Sequence, residues 1–258
     1  MTAPILLDRP SPPAIPPAET TAKVRETLAL EHFLFLPGSA MRTLLASAGS
    51  LDDFTSFQAS WDRLEIDTHM ADRGRYRRRR HAVFEATANG HFQPLPARAH
   101  YQSRDYNPVN GGIARWFSPV ETEVVQSDTL GTILRWCCRA FLPDVPGDGR
   151  WDVEVHQFRI EARAGHVGHP TPEGVHRDGV DHVLVLMIRR VNIASGTTSI
   201  RSDDDRLLDS FTLTDPFDAA LLDDRKVYHG VTPVEPLDAA QPAFRDVLVV
   251  TFRARSPA

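Results

Sequence analysis

His176 and Asp178 are separated by a single residue in the stretch from Gly174 to Gly179. Because side chains of an extended chain alternate between its two faces, this pair points to one side and can reach one metal ion. His229, about fifty residues downstream, closes a strand-like run and is the best candidate for a third ligand. Two imidazoles and one carboxylate on one face of an octahedral ion leave the opposite positions open, as in non-haem iron(II) oxygenases.

A His-x-Asp triplet also arises by chance in unrelated proteins, so it is weak evidence for a metal site by itself. An arginine downstream of His229 strengthens the prediction. Arg245 opens a β-rich run sixteen residues after His229. A guanidinium there can bind the far carboxylate of 2-oxoglutarate through two parallel hydrogen bonds. The alternative is a surface arginine paired with Asp246 or another acid. The order of these parts predicts Fe(II) as the metal, with 2-oxoglutarate and O2 as co-substrates.

The elements that must position these residues are helical before Tyr76 and mainly strands after it. Helices are predicted at 20–29, 39–48, 51–64 and 121–141, and strands at 32–36, 77–84, 151–160, 183–188, 199–201, 226–229 and 247–252. Short strands bounded by turn residues after a helical N-terminal part are typical of a β-sandwich or barrel with helices on its flank. The predicted fold class is therefore mainly β with flanking helices (α+β).

Composition narrows the class of protein further. The 258 residues contain no apolar run approaching the roughly 18 that a membrane helix needs. A formal net charge of −5 argues against a nucleic-acid-binding protein, because phosphate binding favours a basic balance. Cys137 and Cys138 are adjacent and have no other partner, which favours a reducing, cytoplasmic location. The proline-rich residues 1–19 are predicted to be a disordered tail before a single domain at 20–258.

Three segments resemble one known family. They are the stretch beginning Glu173-Gly174-Val175-His176-Arg177-Asp178-Gly179 with the later Arg190-Val191-Asn192, the arginine-rich run from Met70 to Arg80, and the Asn-Gly-Gly segment from Asn107 to Phe117. They resemble the bacterial 2-oxoglutarate/Fe(II) dioxygenase family that includes L-isoleucine dioxygenase, over roughly Phe33 to Arg253. One departure is Gly196-Thr197-Thr198, where the family pattern has Gly-Gly-Glu. It leaves the metal ligands intact but bears on the substrate pocket.

The resemblance implies a double-stranded β-helix (jelly-roll, cupin-like) core and an enzyme that hydroxylates a free amino acid. It implies that His176, Asp178 and His229 bind Fe(II) and that Arg245 binds 2-oxoglutarate. Family members act on aliphatic, polar or cyclic amino acids. The expected substrate is therefore a free L-amino acid or cyclic imino acid, such as an aliphatic amino acid or pipecolic acid, with a role in secondary metabolism. No nucleic acid or membrane partner is expected, and the oligomeric state stays open.

Such a substrate needs a cation for its carboxylate and an acid for its ammonium group. The run 76–81 presents cations on both faces of a predicted strand, so either face can line the cavity. The candidate substrate-binding residues are Arg78, Arg80, Arg159 and Glu173. The alternative for each arginine is a position on a solvated edge strand.

Three other functions share these features. An oxygenase of a carrier-bound or peptide-bound amino acid needs the same metal ligands. A non-catalytic jelly-roll binding or sensor protein would keep the fold but would be expected to lack one or more of the metal-binding residues. A metal-dependent isomerase on the same fold would not need 2-oxoglutarate, and Arg245 argues against it.

Overall fold

The structure is a computed structural model. It describes residues 20–70, 72, 74–87, 90–107, 109, 111–142 and 149–255. The predicted tail, residues 1–19, lies outside the described residues, as do a few positions within the arginine-rich run and the Asn-Gly-Gly segment.

Two of the described helices begin at a residue whose hydroxyl caps them. The described helices are α1 (Thr21–Glu31), α2 (Gly38–Ala46), α3 (Phe54–Ala59), α4 (Thr122–Val125), α5 (Asp128–Phe141) and the 3-10 helix Ser60–Arg63. The Thr20 hydroxyl accepts from the N–H of Lys23, and the Ser127 hydroxyl accepts from the N–H of Leu130. The cap at Ser127 divides the single helix predicted at 121–141 into two. None of the described helices is long and apolar enough to cross a membrane.

Each predicted strand overlaps an observed one, and further strands appear between them. The strands are β1 (Phe33–Leu36), β2 (Glu65–Ile66), β3 (Arg77–Thr87), β4 (Phe92–Pro94), β5 (Arg150–Ala162), β6 (His182–Val191), β7 (Ile193–Ser195), β8 (Thr197–Arg201), β9 (Leu207–Thr212), β10 (Ala219–Asp223), β11 (Tyr228–Val231), β12 (Val234–Pro236) and β13 (Ala243–Ala254).

All the strand pairings are antiparallel. The large sheet has the order β1-β10-β6-β13-β5-β3-β2, with β4 beside β3. Opposite it lie the three-stranded sheet β11-β8-β9 and the pair β12-β7. This arrangement is a double-stranded β-helix with helices on its flank, which confirms the predicted fold class.

The two faces of the large sheet have different neighbours. On β13, Leu248, Val250 and Phe252 are fully buried in the main core, which they share with Trp136 of α5 and with Trp61. Burying each aliphatic or aromatic side chain contributes about 1.5–3 kcal/mol. The residues between them on β13 point the other way and line an internal cavity. The helices therefore stabilise one face of the sheet and leave the other face available for a site.

Candidate metal centre and cavity

His176 and His229 lie directly opposite each other. The backbone N–H of each donates to the carbonyl of the other at 2.9 Å, and their ring centroids are 4.5 Å apart. One ligand atom from each histidine and one from Asp178 all lie within 4.8 Å of one another. The extended stretch expected through His176 and Asp178 does not form a strand, because His176 is an isolated bridge and Asp178 is in the loop after it. The three side chains nevertheless converge.

Asp178 is positioned by its own loop. The buried carboxylate of Asp224 accepts the backbone N–H groups of Asp178, Gly179 and Val180 at 3.0, 2.8 and 3.0 Å. Gly179 has a φ of +76°, a conformation that glycine adopts without strain. Burial, and then the charge of Asp178, raise the pKa of Asp224 to about 7. This loop turns the Asp178 side chain toward the two histidines.

The charges around these three groups favour a cation. Burial opposes protonation of His176, but Asp178 and Glu173 outweigh it and raise the pKa of His176 to about 9. A bound divalent ion would take the place of this proton. Burial and the charge of His176 lower the pKa of His229 to about 4, so its imidazole is neutral. Burial opposes ionisation of Asp178, but the facing histidines outweigh it and hold the carboxyl pKa below its usual range. His176 donates from Nδ1 to the carbonyl of Gly174 at 3.1 Å, which leaves Nε2 for a metal. Two imidazole nitrogens and one carboxylate suit Fe(II).

Arg245 is a buried cation that none of the described residues neutralises. It lines the cavity and is 2% exposed, and its Nε has no hydrogen-bond partner among the described residues. Its cross-strand neighbour on β6 is another cation, Arg190. Burial, and then Arg190, lower the pKa of Arg245 to about 10. The alternative pairing with Asp246 is wrong, because that carboxylate binds Arg159 and Arg189 instead.

The cavity lies between the inner face of the large sheet and the loop that carries the candidate metal ligands His176 and Asp178. Its volume is about 160 Å³. An aliphatic wall runs along it, formed by Val180, Val185, Val231, Val247 and Val249. Such a wall excludes water and favours an apolar group next to the three candidate ligands.

Three of the candidate substrate-binding residues do not reach this cavity. Arg78 donates to Glu161 at 2.6 Å, and Arg80 donates to the carbonyls of Pro119 and Arg63. Arg159 is bonded to acids on the outer face of the sheet. Side chains alternate along β3 and β5, and the observed register turns these three outward. The cavity instead receives Arg77 and Arg79 from β3.

Replacing Arg159 with methionine is therefore expected to lower stability and leave substrate affinity unchanged. Arg159 donates from Nε and Nη2 to the fully buried Asp246 carboxylate at 2.7 and 2.8 Å. Removing one partner of a buried ion pair typically costs 3–5 kcal/mol. We expect about 3 kcal/mol, because Arg189 still reaches Asp246 at 3.1 Å. Urea unfolding measures the loss, and a KM shift at unchanged stability would contradict this assignment.

Glu173, the fourth candidate, is at the cavity. Its Oε1 lies 3.5 Å from Nε2 of His176, and its Oε2 is buried with no hydrogen-bond partner among the described residues. A buried carboxylate oxygen without a donor is costly unless a ligand supplies one. The structure therefore brings Glu173 to the three candidate metal ligands.

A second cluster, made by His81, His100, Glu154 and His156, was not predicted from the sequence. Its four ligand atoms also lie within 4.8 Å of one another. However, Arg79 donates to Nδ1 of His156 at 2.8 Å. An arginine cannot accept, so the proton of the neutral His156 ring must be on Nε2, which faces Glu154 and has no lone pair for a metal. Glu154 instead accepts from His100 at 2.6 Å and from His81 at 3.2 Å. We conclude that the cluster is a hydrogen-bond network in the cavity wall. Its one sequence signal is the spacing of Glu154 and His156, which repeats that of His176 and Asp178.

Comparison with known proteins decides the family. The sequence profile of the 2OG-Fe dioxygenase family matches residues 58–251. The chain belongs to this family. It is thus an Fe(II)- and 2-oxoglutarate-dependent dioxygenase, which confirms the enzyme class, the metal and the co-substrates predicted above.

Individual relatives agree with this assignment. The 2OG-Fe dioxygenase described here is 26% identical to the 3(1)-hydroxy-L-isoleucine 4-dioxygenase of Pantoea ananatis, over 88% of this chain and 93% of that protein. It is 27% identical to the L-isoleucine-4-hydroxylase of Bacillus thuringiensis, over 59% of this chain and 64% of that protein. A crystal structure of a bsmA homologue from Methylobium petroleophilum superposes with a TM-score of 0.80 at 37% identity, covering 93% of this chain and 96% of that one.

Proposed function

We propose that this dioxygenase hydroxylates a free aliphatic L-amino acid or cyclic imino acid. In this proposal His176, Asp178 and His229 hold Fe(II), and Arg245 binds the far carboxylate of 2-oxoglutarate. The observation that carries the substrate class is Glu173, whose buried carboxylate oxygen has no donor among the described residues. A substrate ammonium group would supply that donor.

The rest of the cavity supports this assignment. The aliphatic wall favours an apolar substrate side chain beside the candidate metal ligands. The relatives from Bacillus thuringiensis and Pantoea ananatis are named for action on L-isoleucine and on its hydroxylated form. An amino acid that binds through its ammonium group to Glu173 would present its side chain to the valines. The proposed roles therefore divide the cavity into a charged part and an apolar part.

The proposed reaction is balanced by the co-substrates. When bound, Fe(II) supplies the activation of O2, with 2-oxoglutarate as the two-electron donor. One oxygen atom enters a substrate C–H bond and gives the alcohol. The other enters succinate, formed as 2-oxoglutarate loses carbon dioxide. Arg245 holds 2-oxoglutarate in one orientation, Glu173 fixes the substrate ammonium group, and the valines exclude water from the reacting carbon.

Mass spectrometry of a substrate panel tests the proposal. Purified protein is incubated with Fe(II), ascorbate, 2-oxoglutarate and free aliphatic, polar and cyclic amino acids. We expect one class to gain one oxygen atom, only when 2-oxoglutarate is present. Glu173→Gln should raise the substrate KM by roughly 10–100-fold, the value of a charge-assisted hydrogen bond. Arg78→Met, on the outer face, serves as the matched control and should leave KM unchanged.

Two results would contradict the proposal in different ways. Slow formation of succinate without any oxygenated amino acid would indicate that the substrate is a carrier-bound or peptide-bound amino acid and not a free one. If the amino acid is oxygenated but its KM is the same for wild type and Glu173→Gln, the proposed reaction stands. In that case Glu173 does not bind the substrate.

A further inference from the structure

We infer that Arg115 binds the α-carboxylate of the substrate, and that Gln102 positions Arg115 relative to Asp178. This inference rests on the proposed function, because it assumes that the substrate is a free amino acid. Neither residue was among the candidates taken from the sequence. Both lie in the loop between β4 and α4, and both line the cavity.

The other cavity-lining arginines of the described chain are already engaged. Arg77 forms an ion pair of 2.6 Å with Asp67, and Arg98 lies 3.4 Å from Asp152. Arg253 donates to the carbonyl of Gly179 at 2.7 Å. Arg245 is assigned to 2-oxoglutarate in the proposed function.

Arg79 is committed as well, although it is fully buried. It stacks on Phe117, with its guanidinium carbon 3.5 Å from the ring centroid. It also donates to Nδ1 of His156. Arg79 therefore forms part of the cavity wall together with the histidine network.

Arg115 remains, and its surroundings call for an anion. It is 2% exposed, and no carboxylate of a described residue lies within ion-pair distance of it. Its Nη2 donates to the neutral Oε1 of Gln102 at 2.9 Å, and its Nε has no partner among the described residues. Burial, and then the charge of Arg77, lower the pKa of Arg115. A buried cation of this kind is stabilised when a ligand brings a carboxylate.

The position of Arg115 is fixed by the backbone of its loop. The N–H of Arg115 donates to the carbonyl of His100, and the N–H of His100 donates to the carbonyl of Arg115, both at 2.9 Å. The N–H of Gly112 donates to the carbonyl of Gln102 at 2.9 Å. Gly112 has a φ of +81°, which favours glycine. The loop therefore closes on itself and holds Arg115 beside Gln102.

The orientation of the Gln102 amide follows from its neighbours. Its Oε1 accepts from Arg115 at 2.9 Å and from Nδ2 of Asn107 at 3.1 Å. Its Nε2 must then face the opposite way, where it donates to Oδ1 of Asp178 at 3.2 Å. One amide thus connects the proposed carboxylate anchor to a proposed metal ligand. A substrate carboxylate on Arg115 would lie at a set distance from the iron site.

The position of Glu173 completes the argument. The charge of Glu173 acts on Arg115, yet the two do not form an ion pair. An amino acid carries its ammonium and carboxylate groups on one carbon, so a single molecule can pair with both side chains. Amino-acid recognition then comes from two buried charges of opposite sign that are not paired with each other, beside the three candidate ligands.

Comparing how the full chain binds an amino acid and the corresponding amide tests whether Arg115 binds the substrate carboxylate or only stabilises the fold. Anaerobic calorimetry with Fe(II) and 2-oxoglutarate compares L-isoleucine with L-isoleucinamide, and the active panel member with its amide if another amino acid is the substrate. We expect wild type to bind the acid roughly 10–100-fold more tightly. In Arg115→Met this preference should fall to about 3-fold or less, and Arg115→Lys should recover part of it. Arg78→Met, which removes an arginine from the outer face of the sheet, is the control and should keep the wild-type ratio.

The isosteric variant Gln102→Glu provides a second test. Its carboxylate would pair with Arg115 and occupy the anchor, so the preference for the acid should also disappear. Retention of the wild-type ratio in Arg115→Met would overturn the inference and leave the proposed function intact. Equal binding of acid and amide by wild type would do the same. Absence of binding by every free amino acid would overturn the proposed function and the inference together.

Discussion

Replacing Asp178 with alanine is expected to abolish hydroxylation and to remove most of the bound iron. Asp178 is the proposed carboxylate ligand, and its backbone and side chain are held by Asp224 and Gln102. Loss of an outer hydrogen-bond partner typically weakens metal binding by 10–100-fold. Loss of the ligand itself should cost more than about 100-fold. Metal analysis after desalting, beside an assay for succinate, measures both effects.

The control for this variant is Asp203→Ala, which removes an exposed carboxylate bonded to Arg177 next to the site. It should retain wild-type iron content and activity. An Asp178→Ala protein that is folded and still holds one equivalent of iron would remove Asp178 from the metal site.

Replacing Arg245 with methionine should impair function and raise stability. Without its cation the far carboxylate of 2-oxoglutarate would be buried unpaired, so the KM for 2-oxoglutarate should rise by roughly 100-fold. Without 2-oxoglutarate, wild type carries a buried guanidinium with no acid and with Arg190 opposite it. Methionine removes that cost, so the free energy of unfolding should increase by about 1–3 kcal/mol.

Arg245→Met is thus expected to weaken 2-oxoglutarate binding and to increase stability, and general damage to the fold would not produce both effects. Thermal unfolding is measured for wild type and variant, with and without 2-oxoglutarate. The co-substrate should stabilise wild type and not the variant, because binding to the folded state alone adds stability. A variant that is less stable and keeps the wild-type KM would contradict the assignment of Arg245.

Strands β3 and β13, which bury one face against the helices, could be predicted from the sequence. Strand β10 could not. Arg77 to Phe84 ends in the apolar run Ala82-Val83-Phe84, and Val247 to Phe252 is rich in β-branched residues. The residues of β10, Ala219–Asp223, are buried on both faces. They show no alternation, and alanine and leucine favour helices in isolation. Only its pairing with β1 and β6 makes this segment a strand.

The candidate metal ligands and Arg245 could be predicted from the sequence, whereas the cavity-facing arginines of β3 could not. The spacing of His176 and Asp178, and of His229 and Arg245, is carried by short stretches of chain. The choice between the two faces of β3 depends instead on its register with β5, which a single sequence does not contain. Arg78 was therefore expected at the cavity where the structure places its neighbour Arg79.

The Asn-Gly-Gly segment shows the same limit. The sequence marked it through the family resemblance, but the roles inferred for Gln102 and Arg115 depend on contacts across the loop. Gln102 meets Asp178, which lies 76 residues away in the chain. Contacts of this kind follow from the tertiary fold and not from local spacing.

Turnover under isotopically heavy dioxygen tests the central claim most directly. The amino acid that the panel identifies is incubated with the enzyme, Fe(II) and 2-oxoglutarate, and both products are analysed by mass spectrometry. We expect one heavy oxygen atom in the hydroxylated amino acid and one in succinate, in equal amounts, with neither product formed by His176→Ala. Heavy succinate with an unlabelled or unchanged amino acid would contradict hydroxylation of a free amino acid in this cavity.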